Sequence, residues 1–402
     1  MAHVPVDSPT MILARSGSVL LFAMLVACRS SEATSGGWEG WVRTDNAYAH
    51  GFQLWKRGDA RLVLVFGHGG EQDTVGTYWL SSDPDGPLPP VRAARFSTTL
   101  SAVAIGSTTH VPYISKLGHA SAIRACAHMD QVRDTAFAAR LRRGGVKEIA
   151  TGDGLDREAL LMLKPEALFG YPFGRGESSA LEGLGIPTIE VSEYLEEHPL
   201  GRAEWLRFFG VLFGEERLAD SLFAGIRERY EAIRVDSATD ERPTVLFGSV
   251  WDGRWWVPPG NSYMARLIED AGGRYVFADR KGEGNIAIDM ETMIAVGGKA
   301  DFWGMIADIA DEPSTEDFTT GDERLNGFRS VRDNRLFIGN SARADLFGRA
   351  LIEPDRELMD LVIALHPNGC YYPDRLPIRP GGYFKHVQEA AIPIVEFEAG
   401  VQ

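Results

Sequence analysis

Between Glu215 and Asp236 the chain reads EERLADSLFAGIRERYEAIRVD, and Leu218, Leu222, Phe223, Ile226, Tyr230 and Ile233 recur at steps of three and four. That period places them on one face of a helix, with Glu215, Glu216, Arg217, Asp220, Arg227, Glu228 and Arg229 on the others. About 21 residues at 1.5 Å each give a rod roughly 30 Å long, enough to cross a small domain. Gly214 separates it from an earlier apolar helix whose Pro199 suits a first helical position.

Upstream the period shortens to two. Gly51–Lys56, Arg61–Phe66 and Thr77–Leu80 alternate apolar and polar residues, with turn chemistry at Arg57-Gly58-Asp59 and Gly67-His68-Gly69-Gly70. They predict a small β-meander over 38–97. From Leu100 strands alternate with helices, the mark of a mainly parallel α/β sheet. Strands are expected at Ala102–Gly106, Glu148–Thr151, Ala167–Gly170 and Thr188–Val191. Beyond the rod the pattern resumes at Thr244–Gly248, Arg254–Val257, Tyr275–Phe277, Asp301–Trp303 and Leu336–Gly339.

The two stretches rhyme. Gly152-Asp-Gly154 leads to Asp156, Glu158, an apolar helix, Lys164 and a strand ending near Phe169. Gly282-Glu-Gly284 leads to Asp289, Glu291, an apolar helix, Lys299 and a strand holding Phe302. Each aspartate stands where a helix N-cap belongs. Two related α/β lobes with the Glu215–Asp236 helix between them is the economical arrangement.

Composition narrows the function. The 402 residues are 44% hydrophobic and 24% charged, a globular chain with room for more than one core. A net charge of −15 argues against nucleic acid as a partner. Three cysteines make no disulfide framework, although Cys126 and Cys370 could pair in an oxidising compartment. The apolar run Val19–Ala27 is too short to span a membrane and fits the core of a signal peptide. Its end, Leu25-Val26-Ala27-Cys28, resembles the bacterial lipobox, which makes Cys28 the lipidation site and 28–37 a polar tether.

No Gly-x-Ser-x-Gly elbow, His-Glu-x-x-His pair or Walker loop occurs. His50, His68, His110 and His119 could serve a metal only if the fold gathered them. Aromatic residues do cluster after strands: Tyr171 and Phe173, then Trp251, Trp255 and Trp256, with Tyr263 opening the next helix. In open α/β sheets ligands settle beyond the carboxyl ends of strands, where aromatic faces suit a large ligand. Trp255 and Trp256 are neighbours on a strand and face opposite ways, so at least one belongs to the core.

Several motifs in order carry a family resemblance. They are Ser107–Tyr113, Leu163-Lys-Pro-Glu-Ala-Leu-Phe169, Leu184-Gly-Ile-Pro187, Glu193–Trp205, Trp256-Val-Pro-Pro-Gly-Asn-Ser-Tyr263, Asp270–Tyr275 and Leu365-His-Pro367. Residues 98–367 thereby resemble periplasmic substrate-binding proteins for iron complexes and cobalamin. The resemblance implies two Rossmann-like lobes, 98–214 and 237–402, joined by one long helix over 215–236. It implies capture of an iron chelate, haem or corrinoid between the lobes and delivery to an ABC transporter permease, by a monomer with neither catalysis nor a cofactor. Thr109, His110 and Tyr113 of the opening loop join the aromatic residues as candidate ligand contacts. Arg343, in the segment Gly339–Phe347, could meet an anionic ligand group or form a structural ion pair. Glu177 and Glu316, with Glu312 and Asp317 as rivals for the latter, match the family's permease-docking glutamates. Rival readings are a binding protein for a bare transition-metal ion and a lipoprotein α/β hydrolase.

Overall fold

A computed structural model describes residues 37–83, 86–152, 154–171, 180–235, 242–251, 253–367 and 380–387. Cys28, Phe173, Glu177 and Cys370, together with the expected signal peptide, lie outside the described residues.

Short alternating stretches build the N-terminal sheet. Its strands are β1 (Val42–Thr44), β2 (Phe52–Arg57), β3 (Ala60–Phe66), β4 (Thr74–Leu80) and β5 (Ala94–Phe96), paired in that order. The first four are antiparallel, and β5 runs parallel to β4. Gly58, at φ +57, supplies the left-handed residue of the tight β2–β3 turn. The sequence pattern missed β1 and β5, which are three residues each and exist only through their partners.

The first α/β sheet contains β6 (Val103–Ile105), β7 (Ile123–Cys126), β8 (Lys147–Glu148), β11 (Ala167–Gly170) and β12 (Thr188–Glu190), all parallel, in the order β12-β11-β6-β7-β8. The expected Glu148–Thr151 strand divides, because its second half pairs instead in a hairpin of β9 (Ala150–Thr151) and β10 (Gly154–Leu155). The second sheet contains β13 (Thr244–Phe247), β16 (Arg274–Tyr275), β18 (Phe302–Ala307), β19 (Leu336–Asn340) and β20 (Lys385–His386), in the order β16-β13-β18-β19-β20. Only β20 is antiparallel there. A small antiparallel sheet of β14 (Ser249–Trp251), β15 (Arg254–Val257) and β17 (Ile286–Ile288) stands beside it.

The repeat heard in the sequence is a repeat of topology. The orders β12-β11-β6-β7 and β19-β18-β13-β16 match strand for strand, and each lobe adds its fifth strand at the opposite end. Helices α1 (Val111–Lys116), α2 (Thr135–Arg142) and α3 (Arg157–Leu163) belong to the first lobe. Cys126 is buried in this lobe, and burial, with Glu148 adding to it, pushes its thiol up to about 12.

Between the lobes in sequence come α4 (Pro199–Phe213) and α5 (Glu216–Ile233). The amphipathic rod is α5, and five of its 18 residues are buried. By contrast, 13 of the 15 residues of α4 are buried, so it is enclosed on nearly every side. The two form an antiparallel hairpin. Gly214, in the left-handed region, ends α4, and Arg207 meets Asp220 at 2.8 Å. A Cβ on Gly210 would stand 2.5 Å from that of Ala219, so glycine is what allows the helices to approach. At its far end α5 meets the second lobe. Tyr230 donates to Asp270 at 2.9 Å on α6 (Tyr263–Asp270), and Arg229 pairs with Asp355 on α8 (Pro354–Leu365), which follows α7 (Met290–Val296).

The N-terminal sheet is fastened to this frame by buried carboxylates. Glu204, fully buried on α4, accepts the backbone N–H groups of Ala47, Tyr48 and Ala49 at 2.7–3.1 Å and an Arg207 N–H at 3.0 Å. Glu196 accepts the N–H groups of His50 and Gly51 and the indole of Trp205. Phe52 inserts its ring against Trp205 at 4.8 Å between centroids. Tyr78 of β4 accepts the Glu190 N–H at 2.6 Å, covering the free edge of β12. None of the described helices is long and apolar enough to cross a membrane.

Candidate ligand cleft

Four loops leave the carboxyl ends of central strands and face one another across the lobes. Those after β6 and β7 bring Thr108, Val111, Pro112 and Asp130–Asp134; those after β18 and β19 bring Asp308, Ser341 and Ala344–Gly348. Together they line a cleft of ≈ 400 Å³, within the range usual for small-molecule sites. Its position beyond the strands' carboxyl ends is where an open parallel sheet places ligands.

Short polar contacts set the shape of each loop. Ser107 accepts the Thr109 N–H at 3.3 Å. The Thr109 hydroxyl donates to Glu193 at 2.7 Å. Asp134 caps α2 through the Phe137 N–H at 2.6 Å, and Arg133 donates to the Asp130 carbonyl at 3.1 Å. Asn340 ties the β18 and β19 loops together, donating to the Ile309 carbonyl at 2.8 Å and accepting the N–H groups of Ile309 and Ala342. Asp345 accepts the Arg349 N–H at 2.9 Å. A Cβ at Gly348 would lie 2.4 Å from the Asp345 carboxylate, so a side chain there would displace it. The turn leaves Phe347 57% exposed.

The lining holds four aspartates, Asp130, Asp134, Asp308 and Asp345, against one arginine, Arg133. Burial raises the Asp345 pKa, and Asp134 adds to the rise, while the Arg349 N–H and the charges of Arg349 and Arg133 oppose it. The two carboxylates therefore repel one another from opposite lobes.

The residues singled out in the sequence are dispersed. Thr109 lies beside the cleft but turns its hydroxyl to buried Glu193. His110 is 1% exposed between Phe169 and Phe209, and burial pulls its pKa down to about 3, leaving a neutral core ring. Tyr113 is buried, stacks on Phe209 and donates to the Arg202 carbonyl. Trp255 is also core, against Trp303 and Phe328. Buried residues offer a ligand no face, so His110, Tyr113 and Trp255 are packing residues here. Trp251 is 70% exposed on β14 and its carbonyl accepts the Trp256 indole N–H. Tyr263 lies under the Arg202 guanidinium at 3.7 Å, beside Glu357. Tyr171 borders a separate cavity of ≈ 250 Å³ at the first lobe's sheet end, with Gly106, His128, Thr151 and Gly170. Arg343 is bound up with Glu312 and does not line the cleft.

Among the described residues, no three His, Cys, Asp or Glu side chains gather as a metal site. His119 pairs with Glu215 and His68 with Glu283. Glu316 is exposed on the short helix Thr315–Thr319, and Asp317 closes its capping box with Ser314. The matching helices α3 and α7 are more alike. Asp156 caps one and Asp289 the other, and Glu158 and Glu291 stand exposed in their first turns. Each also leaves apolar side chains in water, Leu161 and Met162 on α3, Ile294 and Val296 on α7. The rhyme in the sequence contained both glutamates, but only their shared place in the two lobes marks them as a pair.

The sequence profile described as periplasmic binding protein matches residues 103–342. An uncharacterized lipoprotein of Methanocaldococcus jannaschii is 27% identical over 232 residues, covering 56% of this chain and 54% of its own. A second uncharacterized lipoprotein of that organism is 25% identical, covering 53% and 56%. The chain thus spans about half the length of these curated relatives. A periplasmic heme binding protein from Pseudomonas aeruginosa superposes with a TM-score of 0.54 at 19% identity, covering 67% of this chain and 94% of its own. A petrobactin-binding protein from Bacillus subtilis gives 0.55 at 12%, covering 75% and 98%. At such identities these two structures speak for the fold.

Proposed function

The chain belongs to the periplasmic binding protein family, and from that premise we propose that it is the ligand-capturing lipoprotein of an ABC importer. Its cargo is an iron chelate, haem or a corrinoid. The observation that carries the reading is the cleft of ≈ 400 Å³ between the carboxyl ends of two matching parallel sheets. The family match and the solved proteins named for haem and petrobactin binding support the ligand class. The Leu25–Cys28 motif and relatives named as lipoproteins support an anchor at Cys28.

The chain's part is binding and handover. Loops fixed by caps on rigid strands give the ligand two preformed walls, and Phe347 gives it one aromatic face. Release occurs at the permease, which docks across α3 and α7. There Glu158 and Glu291 set register by charge, and the exposed Leu161, Met162, Ile294 and Val296 provide apolar contact. Glu177, which lies outside the described residues, and Glu316 are the other candidate pair for that docking.

Purified protein titrated with ferric chelates, haem and cobalamin should show saturable quenching of tryptophan fluorescence by at least one of them. Phe347→Ala should weaken that binding roughly tenfold, the effect of losing about 1.4 kcal/mol of ring contact. Absence of saturation with every ligand class would sink the proposal.

A further inference from the structure

Resting on that function, we propose that the cleft is selective by charge: it takes chelates that are neutral or cationic and turns away polyanions such as ferric tris-catecholates and haem.

The argument starts from what lines the walls. Four aspartates and one arginine face the cavity. The arginine is partly engaged already, since Arg133 donates to the Asp130 carbonyl at 3.1 Å. Arg343, the residue placed to meet an anion on sequence grounds, is held by Glu312 and by the Ala310 carbonyl outside the cleft. Asp134 is engaged by the Phe137 N–H and Asp345 by the Arg349 N–H. An entering trianion would even so meet a lining in which acids outnumber bases, in a space partly screened from water, where like charges repel most. A cation would meet them as partners.

Two further features agree. Asp134 and Asp345 line the cleft from different lobes. A positive ligand between them removes their repulsion and draws the lobes together, whereas an anion adds to it. Phe347 is the exposed ring of the lining, and the negative face of an aromatic ring attracts cations. Carboxylates together with an open aromatic face make a site for positive charge spread over a large body. A cationic ferric trihydroxamate fits that description, as does an aquocorrinoid.

The test compares charge at similar size. Calorimetric titration of the full-length protein should use four probes: a cationic ferric trihydroxamate, aquocobalamin, a ferric tris-catecholate and haem. One of the first two should bind at least tenfold more tightly than either anion, and its affinity should fall as salt rises. The double variant Asp134→Asn/Asp345→Asn, which keeps side-chain volume, should weaken the cation roughly tenfold and narrow the gap to the anions. The single variant Asp308→Asn should do the same to a smaller degree and gives a second reading if the double variant folds poorly. Preference for the tris-catecholate or haem would overturn charge selection while leaving the importer reading intact. Failure of all four to bind would overturn the importer reading as well.

Discussion

Glu204→Ala offers the sharpest test of how the N-terminal sheet is held. The wild-type carboxylate is fully buried and satisfies three backbone N–H groups of Ala47–Ala49 as well as Arg207. Hydrogen bonds to a charged acceptor contribute about 1.5–3 kcal/mol each, but the exposed Ala47 N–H can turn to water once its partner is gone. The buried Ala49 N–H and the partly buried Tyr48 N–H have less recourse, and Arg207 loses one of its two carboxylate partners. The expected loss is about 3–5 kcal/mol, the range for breaking a buried charged network. Glu204→Gln keeps one carbonyl oxygen yet turns an NH₂ toward backbone donors, so it should lose about 2–3 kcal/mol. Urea unfolding followed by tryptophan fluorescence measures the change, and hydrogen exchange at residues 47–51 localises it. Loss of protection there with the rest of the molecule unchanged would mean that the sheet unlatches before the lobes unfold. A Glu204→Ala stability within about 0.5 kcal/mol of wild type, the range of an ordinary surface substitution, would refute the latch.

Two further outcomes can be checked on the same protein. Burial, with Asp360 adding to it and Arg202 opposing, pushes the Glu357 pKa up from 4.5 to about 8. A raised acid binds its proton more tightly in the folded state. Its contribution is full below pH 4.5 and is lost as pH rises toward 8, at about 1.4 kcal/mol per pH unit. Glu357→Gln should flatten the wild-type decline between those limits in denaturant titrations at stepped pH; an unchanged slope would show that Glu357 is not its source. Gly210→Ala should destabilise by about 1–3 kcal/mol despite the better helix propensity, because the new methyl meets the Ala219 Cβ at 2.5 Å. A higher melting temperature for that variant would show that the helix pair yields without penalty.

Much of the architecture was legible because local rules and tertiary structure agree. Of the three-and-four spacing, Phe223, Ile226, Tyr230 and Ile233 are the inner face of α5, with Leu222 partly buried, while Leu218 is exposed and Ala219 takes its place inside. Asp156 and Asp289 cap α3 and α7 as their places suggested. The paired motifs correspond to two sheets with a shared strand order. The cleft was less legible. It is assembled from four loops with no period, and a loop side chain's direction depends on contacts far away in sequence, such as Asn340 with Ile309. Aromatic residues misled for a related reason. Trp255 stands among the candidate contacts, but its alternation with Trp256 puts one of the two in the core, and β15 turns Trp255 inward onto Trp303. The segment Gly339–Phe347 was noticed for Arg343, yet it is Phe347, four residues on, that faces the cleft. Helix α4 carried no clean period because it is apolar on nearly all sides, so its amphipathic neighbour drew attention to itself.

The carboxylate of Glu204 lies 157 positions beyond the Ala47 amide it receives. That separation is a statement about time as well as space. At about 5–20 residues per second, roughly 8–30 s of synthesis pass between the two. Throughout that interval strands β1–β4 have neither the helix that buries Phe52 nor the edge of β12 that meets Tyr78. The sheet is therefore completed only after these later groups are made, and until α4 emerges it presents open strand edges and apolar faces to every other unfinished chain. The longer that delay, the longer those edges stand open to pairing with another chain.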